Sequence, residues 1–193
     1  MEKSRQGAKH GILRGVLSLI GESGIDKVTH RIAARRAGVS PGTVSYHFPT
    51  RDDLISSAFS QYVADYQEGL SSAIAGSPIE DRGALIRFLS ETTALSPEQL
   101  TVTAIEYEMA LMAHRDAAIS SDVKAWQRTM EPILSDVLET LGVARPIEGA
   151  RQILAVCRGT EFEVMVRGVG VSKDQFEQRL NRLIDALLSE DNS

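Results

Sequence analysis

Apolar residues in this chain recur at three- and four-residue spacing from one end to the other, a rhythm that helices satisfy and strands do not. Ile12, Leu13, Val16, Leu17 and Ile20 form one stripe, and Gly24 supplies its end signal. Thr29 is placed to cap a short helix carrying Ile32, Ala33 and Ala37, which Gly38 closes. Ser40-Pro41 reads as an N-cap with Pro at the first helical position. Leu54, Ile55, Ala58, Phe59, Tyr62, Val63 and Tyr66 hold one face with no breaker before Gly69. Ser77-Pro78 and Ser96-Pro97-Glu98-Gln99 repeat the cap-plus-Pro pattern, the second completed as a capping box by Gln99. Val123, Trp126, Met130, Ile133, Leu134, Val137 and Leu141 continue the periodicity, and Pro132 inside it predicts a bend or a break. Gly142 ends that run, Pro146 opens the next, and Ser172 with Gln175 boxes the last helix. Alternating apolar patterns and internal repeats are absent, so the expected fold is all-α.

Composition removes whole classes of function. At 42% hydrophobic, the 193 residues are too apolar for a disordered chain and enough to bury a real core. No apolar run approaches the ~18 residues of a membrane span. Met1 to His10 is polar and charged with no secretory pattern behind it. The single cysteine, Cys157, suits a reducing cytoplasm and reads as a small buried residue rather than a redox sensor. Enzyme chemistry finds little to stand on. The histidines (His10, His30, His47, His114) lack metal-ligand spacing, and no glycine-rich phosphate loop occurs. Glu106 and Glu108, like Glu161 and Glu163, sit two apart on a helix and point in different directions. No metal or cofactor is expected.

Charge is unevenly placed. Residues 1–51 carry nine Lys/Arg against three Asp/Glu, a net +6, while the remainder holds 12 bases and 23 acids, a net −11. A basic head on an acidic body fits a nucleic-acid-binding module fused to another kind of domain. The acidic body opposes the alternative of a non-specific architectural DNA binder, and an all-α enzyme is the other alternative.

The informative stretch is Thr29 to Leu54, THRIAARRAGVSPGTVSYHFPTRDDL. It reads as two short helices joined at Gly38-Val39-Ser40, the layout of a helix-turn-helix. At ~100° per residue, Val44 and Phe48 fall on one side of the second helix, with Gly42 and Tyr46 opposite, flanked by Thr43 and Ser45. That outer edge suits a major groove: Gly42 permits close approach, and Thr43 and Ser45 reach phosphates or base edges. No charged residue occurs from Ala37 to Thr50; Arg31, Arg35 and Arg36 precede this reader and Arg51 follows it. Thr50 is the expected N-cap of the helix that starts at Arg51, where backbone N–H groups are placed to bind a phosphate.

From Ile12 to Leu54 the chain resembles the N-terminal domain of the tetracycline-repressor (TetR) family of bacterial transcriptional regulators. VTHRIAARRAGVSPGTVSYHF, a short turn, a basic residue and Asp-Asp-Leu carry the resemblance. It implies a three-helix DNA-binding domain over residues 1–52 and a helical ligand-binding and dimerisation domain over 53–193. It implies phosphate contacts from Thr29, Thr43, Tyr46, His47 and the helix start at Arg51. Base or groove contacts are implied for Pro41, Gly42, Thr43, Ser45 and Tyr46; Arg31 joins the DNA-binding set from the charge pattern, not from the resemblance. Arg51 departs from the family's usual Lys, and Ser45 stands where a bulkier residue is common.

In the body, Leu100–Ala104–Tyr107–Leu111 and Val102–Ile105–Met109–Met112 make one helix apolar on two sides, so it is buried or lines a cavity. With the small-molecule inducer site implied by the resemblance, the candidate lining is Tyr107, Met109, Met112, His114, Trp126, Met130, Arg158, Phe162 and Met165, with Glu161 as a further polar handle. The stripe Phe176, Leu180, Leu183, Ile184 and Leu187 must be covered by something. The resemblance implies a homodimer joined through a four-helix bundle. The expected function is a ligand-responsive regulator, a repressor on palindromic double-stranded DNA released by an inducer.

Overall fold

Local hydrogen bonds explain where most helices start. In this computed structural model, which describes residues 2–115 and 117–189, Thr29 Oγ1 accepts from the Ile32 N–H at 3.2 Å and opens α2 (His30–Ala37). Ser40 Oγ accepts from the Thr43 N–H at 3.1 Å and opens α3 (Pro41–His47). Between them Gly38 sits at φ 67°, a left-handed conformation that costs glycine nothing and that a Cβ would strain. Before α2 come α1 (Glu2–Ser23) and a 3-10 turn, Ile25–Lys27.

The later helices are α4 (Arg51–Gly76), α5 (Arg82–Thr92), α6 (Leu100–Ala113), α7 (Ala117–Thr140), α8 (Pro146–Arg167) and α9 (Lys173–Ser189). At the head of α4, Asp53 accepts from the Thr50 N–H and hydroxyl, and the Asp53 N–H donates back to Thr50 Oγ1 at 3.0 Å. Ser172 and Gln175 form the matching reciprocal pair before α9. No strand occurs among the described residues. The all-α expectation stands.

Three details differ from the sequence expectations. α4 runs through Gly69, because Leu70 keeps its apolar face buried beyond it. Ser77-Pro78 does not cap α5: Asp81 does, accepting from the Ala84 N–H at 2.7 Å. Pro132 neither ends nor splits α7; it lies on the exposed side, where its ring meets no packed neighbour helix among the described residues.

The chain divides into two compact units, Met1–Glu68 with Thr101–Ala125, and Gly69–Leu100 with Trp126–Ser193. In the first, α1, α2 and α3 pack on one another around Ile12, Val16, Ile20, Val28, Ala33, Val44 and Phe48, and α4 adds Leu54, Ile55, Ala58 and Phe59. Each such large side chain contributes roughly 1.5–3 kcal/mol on burial. Ile105 and Met109 of α6 belong to this core. There α6 approaches α1 so closely that a Cβ on Gly21 would stand 2.6 Å from the Thr101 carbonyl oxygen.

In the second unit, α9 packs on α5 and α8. Arg82 rivets α5 to α9, donating to Asn181 Oδ1 at 3.0 Å, the Asn181 carbonyl at 2.9 Å and Asp185 at 2.7 Å. The stripe read from sequence as a dimer face is largely used up here. Phe176, Leu180, Ile184 and Leu187 are all buried within the single chain, and only Leu183 of that set is half-exposed. Leu187 reaches so close to α8 that a Cβ on Gly149 would stand 3.1 Å from its Cδ1. Those four side chains are covered within the chain itself.

Candidate nucleic-acid interface

The periodicity of α3 sorts its seven residues into two faces. Val44 and the following Phe48 are buried against α1 and α2, whereas Pro41, Gly42, Ser45 and Tyr46 are exposed, Tyr46 at 73%. Thr43 is half-buried, and its hydroxyl lies 2.9 Å from Ser40 Oγ, so the cap holds it in place. A Cβ on Gly42 would meet only Ser40 Oγ, at 3.7 Å. Among the described residues nothing else stands within 4 Å in front of that backbone. His47 is half-buried, its ring packed edge-on to Tyr46 with centroids 5.2 Å apart, an arrangement that restricts the phenol. His30 braces the unit from behind, its Nε2 lying 2.7 Å from the Phe48 carbonyl.

The basic residues around the reader are not equivalent. Arg31 and Arg35 are exposed on α2, as is Thr29 at its start. Arg36 is committed to α1: its guanidinium donates twice to the Glu22 carboxylate, at 2.8 and 2.5 Å, and to Ser18 Oγ at 2.6 Å. Arg51, read from sequence as a flanking phosphate contact, turns its guanidinium inward. Nε donates to the Val28 carbonyl at 2.9 Å and Nη2 to the Ile25 carbonyl at 2.6 Å, closing the 3-10 turn. The partners lie 23 and 26 residues away, beyond any local pattern.

The hydrogen bond from Arg36, with a second from Ser18, holds the Glu22 carboxyl down at about 2 from its ordinary 4.5. A depressed acid stabilises the fold above its unfolded pKa, and that contribution fades as pH falls through the folded value. The melting-temperature difference between the parent and Glu22→Gln is therefore expected to be constant above pH 5 and to shrink toward zero by pH 2. Thermal melts across that range read it directly.

A family model described as bacterial regulatory proteins, tetR family, matches residues 12–58. A second, the tetracyclin repressor-like C-terminal domain, matches residues 80–190, more than half of the chain. The chain belongs to the TetR family. It is a DNA-binding transcriptional regulator of that family, with the helix-turn-helix in its N-terminal domain.

Solved structures agree in fold. A transcriptional regulator from Rhodococcus sp. Rha1 is 22% identical with a TM-score of 0.79, covering 94% of this chain and 96% of its own. A transcriptional regulator from Saccharomonospora viridis, solved in complex with choline, is also 22% identical at a TM-score of 0.79, covering 93% and 96%. The multidrug binding protein EbrR complexed with proflavin is 26% identical at a TM-score of 0.65, covering 91% and 99%. No match is found among the curated proteins. No helix among the described residues is long and apolar enough to cross a membrane.

The residues suggested for the effector site of this TetR-family chain fall in both compact units. In the first, Met109 is wholly enclosed, Tyr107 and Met112 are half-buried, and His114 is exposed just past the end of α6. In the second, Trp126, Arg158 and Glu161 come together. The Arg158 guanidinium stands 4.6 Å over the Trp126 ring, and its Nη1 is 3.2 Å from Glu161 Oε2, while Glu161 Oε1 accepts from the Ala94 N–H. Met130 is buried and Met165 half-buried, but Phe162 faces outward at 55% exposure. Sequence reading missed one polar pair in the first unit: buried Glu106 accepts from the Tyr62 hydroxyl at 2.5 Å. Its signal was an acid on a helix otherwise apolar on two sides. Cys157 is buried, and burial pushes its thiol up to about 11, which disfavours the thiolate at neutral pH.

Proposed function

We propose that this TetR-family regulator is a repressor that binds a palindromic operator as a homodimer and leaves it when a small-molecule effector binds. The observation that carries the DNA half is α3 itself, with Val44 and Phe48 buried and Gly42 and Tyr46 presented to solvent. Thr29, Arg31, Pro41, Gly42, Thr43, Ser45, Tyr46 and His47 form the proposed contact set. Two such heads on a two-fold axis need a separation of about 34–36 Å to enter successive major grooves.

The dimer is assigned to α8 rather than to the buried stripe of α9. Ala155, Gly159, Phe162 and Val166 follow one another at helical spacing and all are exposed, Phe162 at 55% and Val166 at 67%. Gly159 leaves room for a second backbone to approach, since a Cβ there would meet nothing within 4 Å. Phe162→Glu places a charge in the middle of that stripe and is expected to give a single-chain mass in sedimentation at micromolar concentration. A dimer persisting in that variant would move the interface elsewhere.

The effector is assigned to the Trp126–Arg158–Glu161 group, with Met130 and Met165 beside it in sequence and unit. Two structural neighbours were solved with choline and with proflavin, both organic cations. Trp126 already carries one cation on its face, and a ligand cation that took Arg158's place would free it from Glu161. Binding lowers operator affinity only to the extent that the ligand prefers the conformation with misplaced heads.

The experiment is selection of bound fragments from random and genomic DNA, followed by gel shifts with the selected duplex. A salt-sensitive complex with a palindromic site, lost at least tenfold on Tyr46→Ala, supports the reading. Equal affinity for all sequences, or a Tyr46→Ala protein that binds like the parent, refutes it.

A further inference from the structure

We infer that the operator is read mainly through thymine methyl groups rather than through hydrogen bonds to purines. This rests on the DNA-reading role just proposed for α3 and specifies its chemistry.

Base edges in the major groove are told apart in two ways. Guanine and adenine are recognised by bidentate pairs from Arg, Lys, Asn or Gln, and cytosine donates to Asp or Glu; thymine alone presents a methyl group for apolar contact. From Ala37 to Thr50 this chain contains none of Arg, Lys, Asn, Gln, Asp or Glu. The solvent-facing edge of α3 offers the Pro41 ring, the bare backbone of Gly42, the Ser45 hydroxyl and the ring and hydroxyl of Tyr46. Hydroxyls bond to donors and acceptors alike, so they discriminate weakly. Pro41 and the Tyr46 ring are apolar surface, and Gly42 brings the backbone close enough for that surface to touch the groove floor.

Among the described residues, the basic side chains nearby do not repair the deficit: Lys9 stands over the Phe48 ring, 5.9 Å from its centroid, behind α3, and Lys27 lies before α2 rather than on the reading helix. Arg36 is held by Glu22 and Ser18, and Arg51 by the carbonyls of Val28 and Ile25. His30 lies against the Phe48 carbonyl, and His47 packs edge-on to Tyr46. Arg31 and Arg35 are exposed, but they belong to α2, the helix that crosses the phosphate backbone in this motif. They supply affinity without sequence information. Direct discrimination therefore falls to the one base feature that an apolar edge can sense.

The test uses the full-length protein and the duplex selected from the random pool, remade with deoxyuridine replacing thymine at one position of each half-site at a time. Deoxyuridine pairs as thymine does and lacks only the methyl. Burying one methyl is worth about fourfold in affinity, so a symmetric pair of replacements is expected to weaken binding about fifteenfold at the sensitive positions. A C·G pair at such a position should bind as weakly, and 5-methylcytosine there should recover most of the loss. In Tyr46→Ala the effect of deoxyuridine should vanish for at least one position per half-site, a coupling that a general loss of affinity does not produce. Unchanged affinity with deoxyuridine at every thymine, while the parent duplex is bound specifically, overturns the inference and leaves the regulator reading intact. Failure to select any duplex removes the regulator reading itself.

Discussion

Gly21→Ala is expected to destabilise the protein by about 2 kcal/mol, while Gly11→Ala on the same helix should stabilise it by roughly 0.5–1 kcal/mol. Both substitutions remove the same backbone freedom from α1, and on propensity alone both should help. They differ in what the new methyl meets. At Gly21 it would lie 2.6 Å from the Thr101 carbonyl oxygen, 2.7 Å from Thr101 Cγ2 and 3.2 Å from Ile105 Cγ1; at Gly11 nothing lies within 4 Å. The first obstacle is backbone, so no rotamer change removes it, and α6 must draw away from α1. Equilibrium urea unfolding of the two variants measures the difference in sign. The same contact is where α6 meets the helix that backs the reading head. Gly21→Ala is therefore expected to weaken operator binding as well, even under conditions where the variant is fully folded. A Gly21→Ala protein as stable as Gly11→Ala would mean that α6 yields to the new methyl at no cost.

Arg51→Ala is the second large effect, and its signature separates two roles for one residue. If the guanidinium serves the head internally, its loss leaves the Ile25 and Val28 carbonyls without charged donors. Bonds of that kind are worth about 1.5–3 kcal/mol each when buried. With the side chain 41% exposed, a total of about 1–2 kcal/mol is the fair expectation, or roughly 2–8 °C in melting temperature. The dependence of operator affinity on salt should stay as in the parent. A phosphate contact would behave in the opposite way, lowering the slope of log affinity against log salt by about 0.9 with little change in stability. Arg51→Lys should retain only part of the stability, because an ammonium cannot span two carbonyls as the planar fork does.

The division between what was legible and what was not follows the reach of each interaction. The reading face was legible because it depends on a period of 3.6 and on partners three or four residues away. Val44 and Phe48 go inward, Gly42 and Tyr46 go outward, and Thr29, Ser40 and Thr50 cap their helices with bonds spanning three residues. The basic head was legible as a sum of charges, but its allocation was not. Arg36 finds Glu22 across 14 residues and Arg51 finds its carbonyls across more than 20, so two of the four arginines around the reader already hold partners within the chain. Ser77-Pro78 carried a sound local signal for a helix start, yet Asp81 lies nearer the first residue that α5 can bury, Leu85.

By itself, then, the order of residues determined the helices, the turn at Gly38 and the face that α3 presents, since each is set by neighbours along the chain. Only the folded arrangement decided which apolar stripe remains uncovered. The period of α9 says that Phe176, Leu180, Ile184 and Leu187 must be buried, but a period has no knowledge of the partner. α5 and α8 cover that stripe, and exposed apolar side chains stand elsewhere, Phe162 and Val166 on α8 among them. Burial is a property of surfaces brought together from distant parts of the chain, and it can be counted only once they meet.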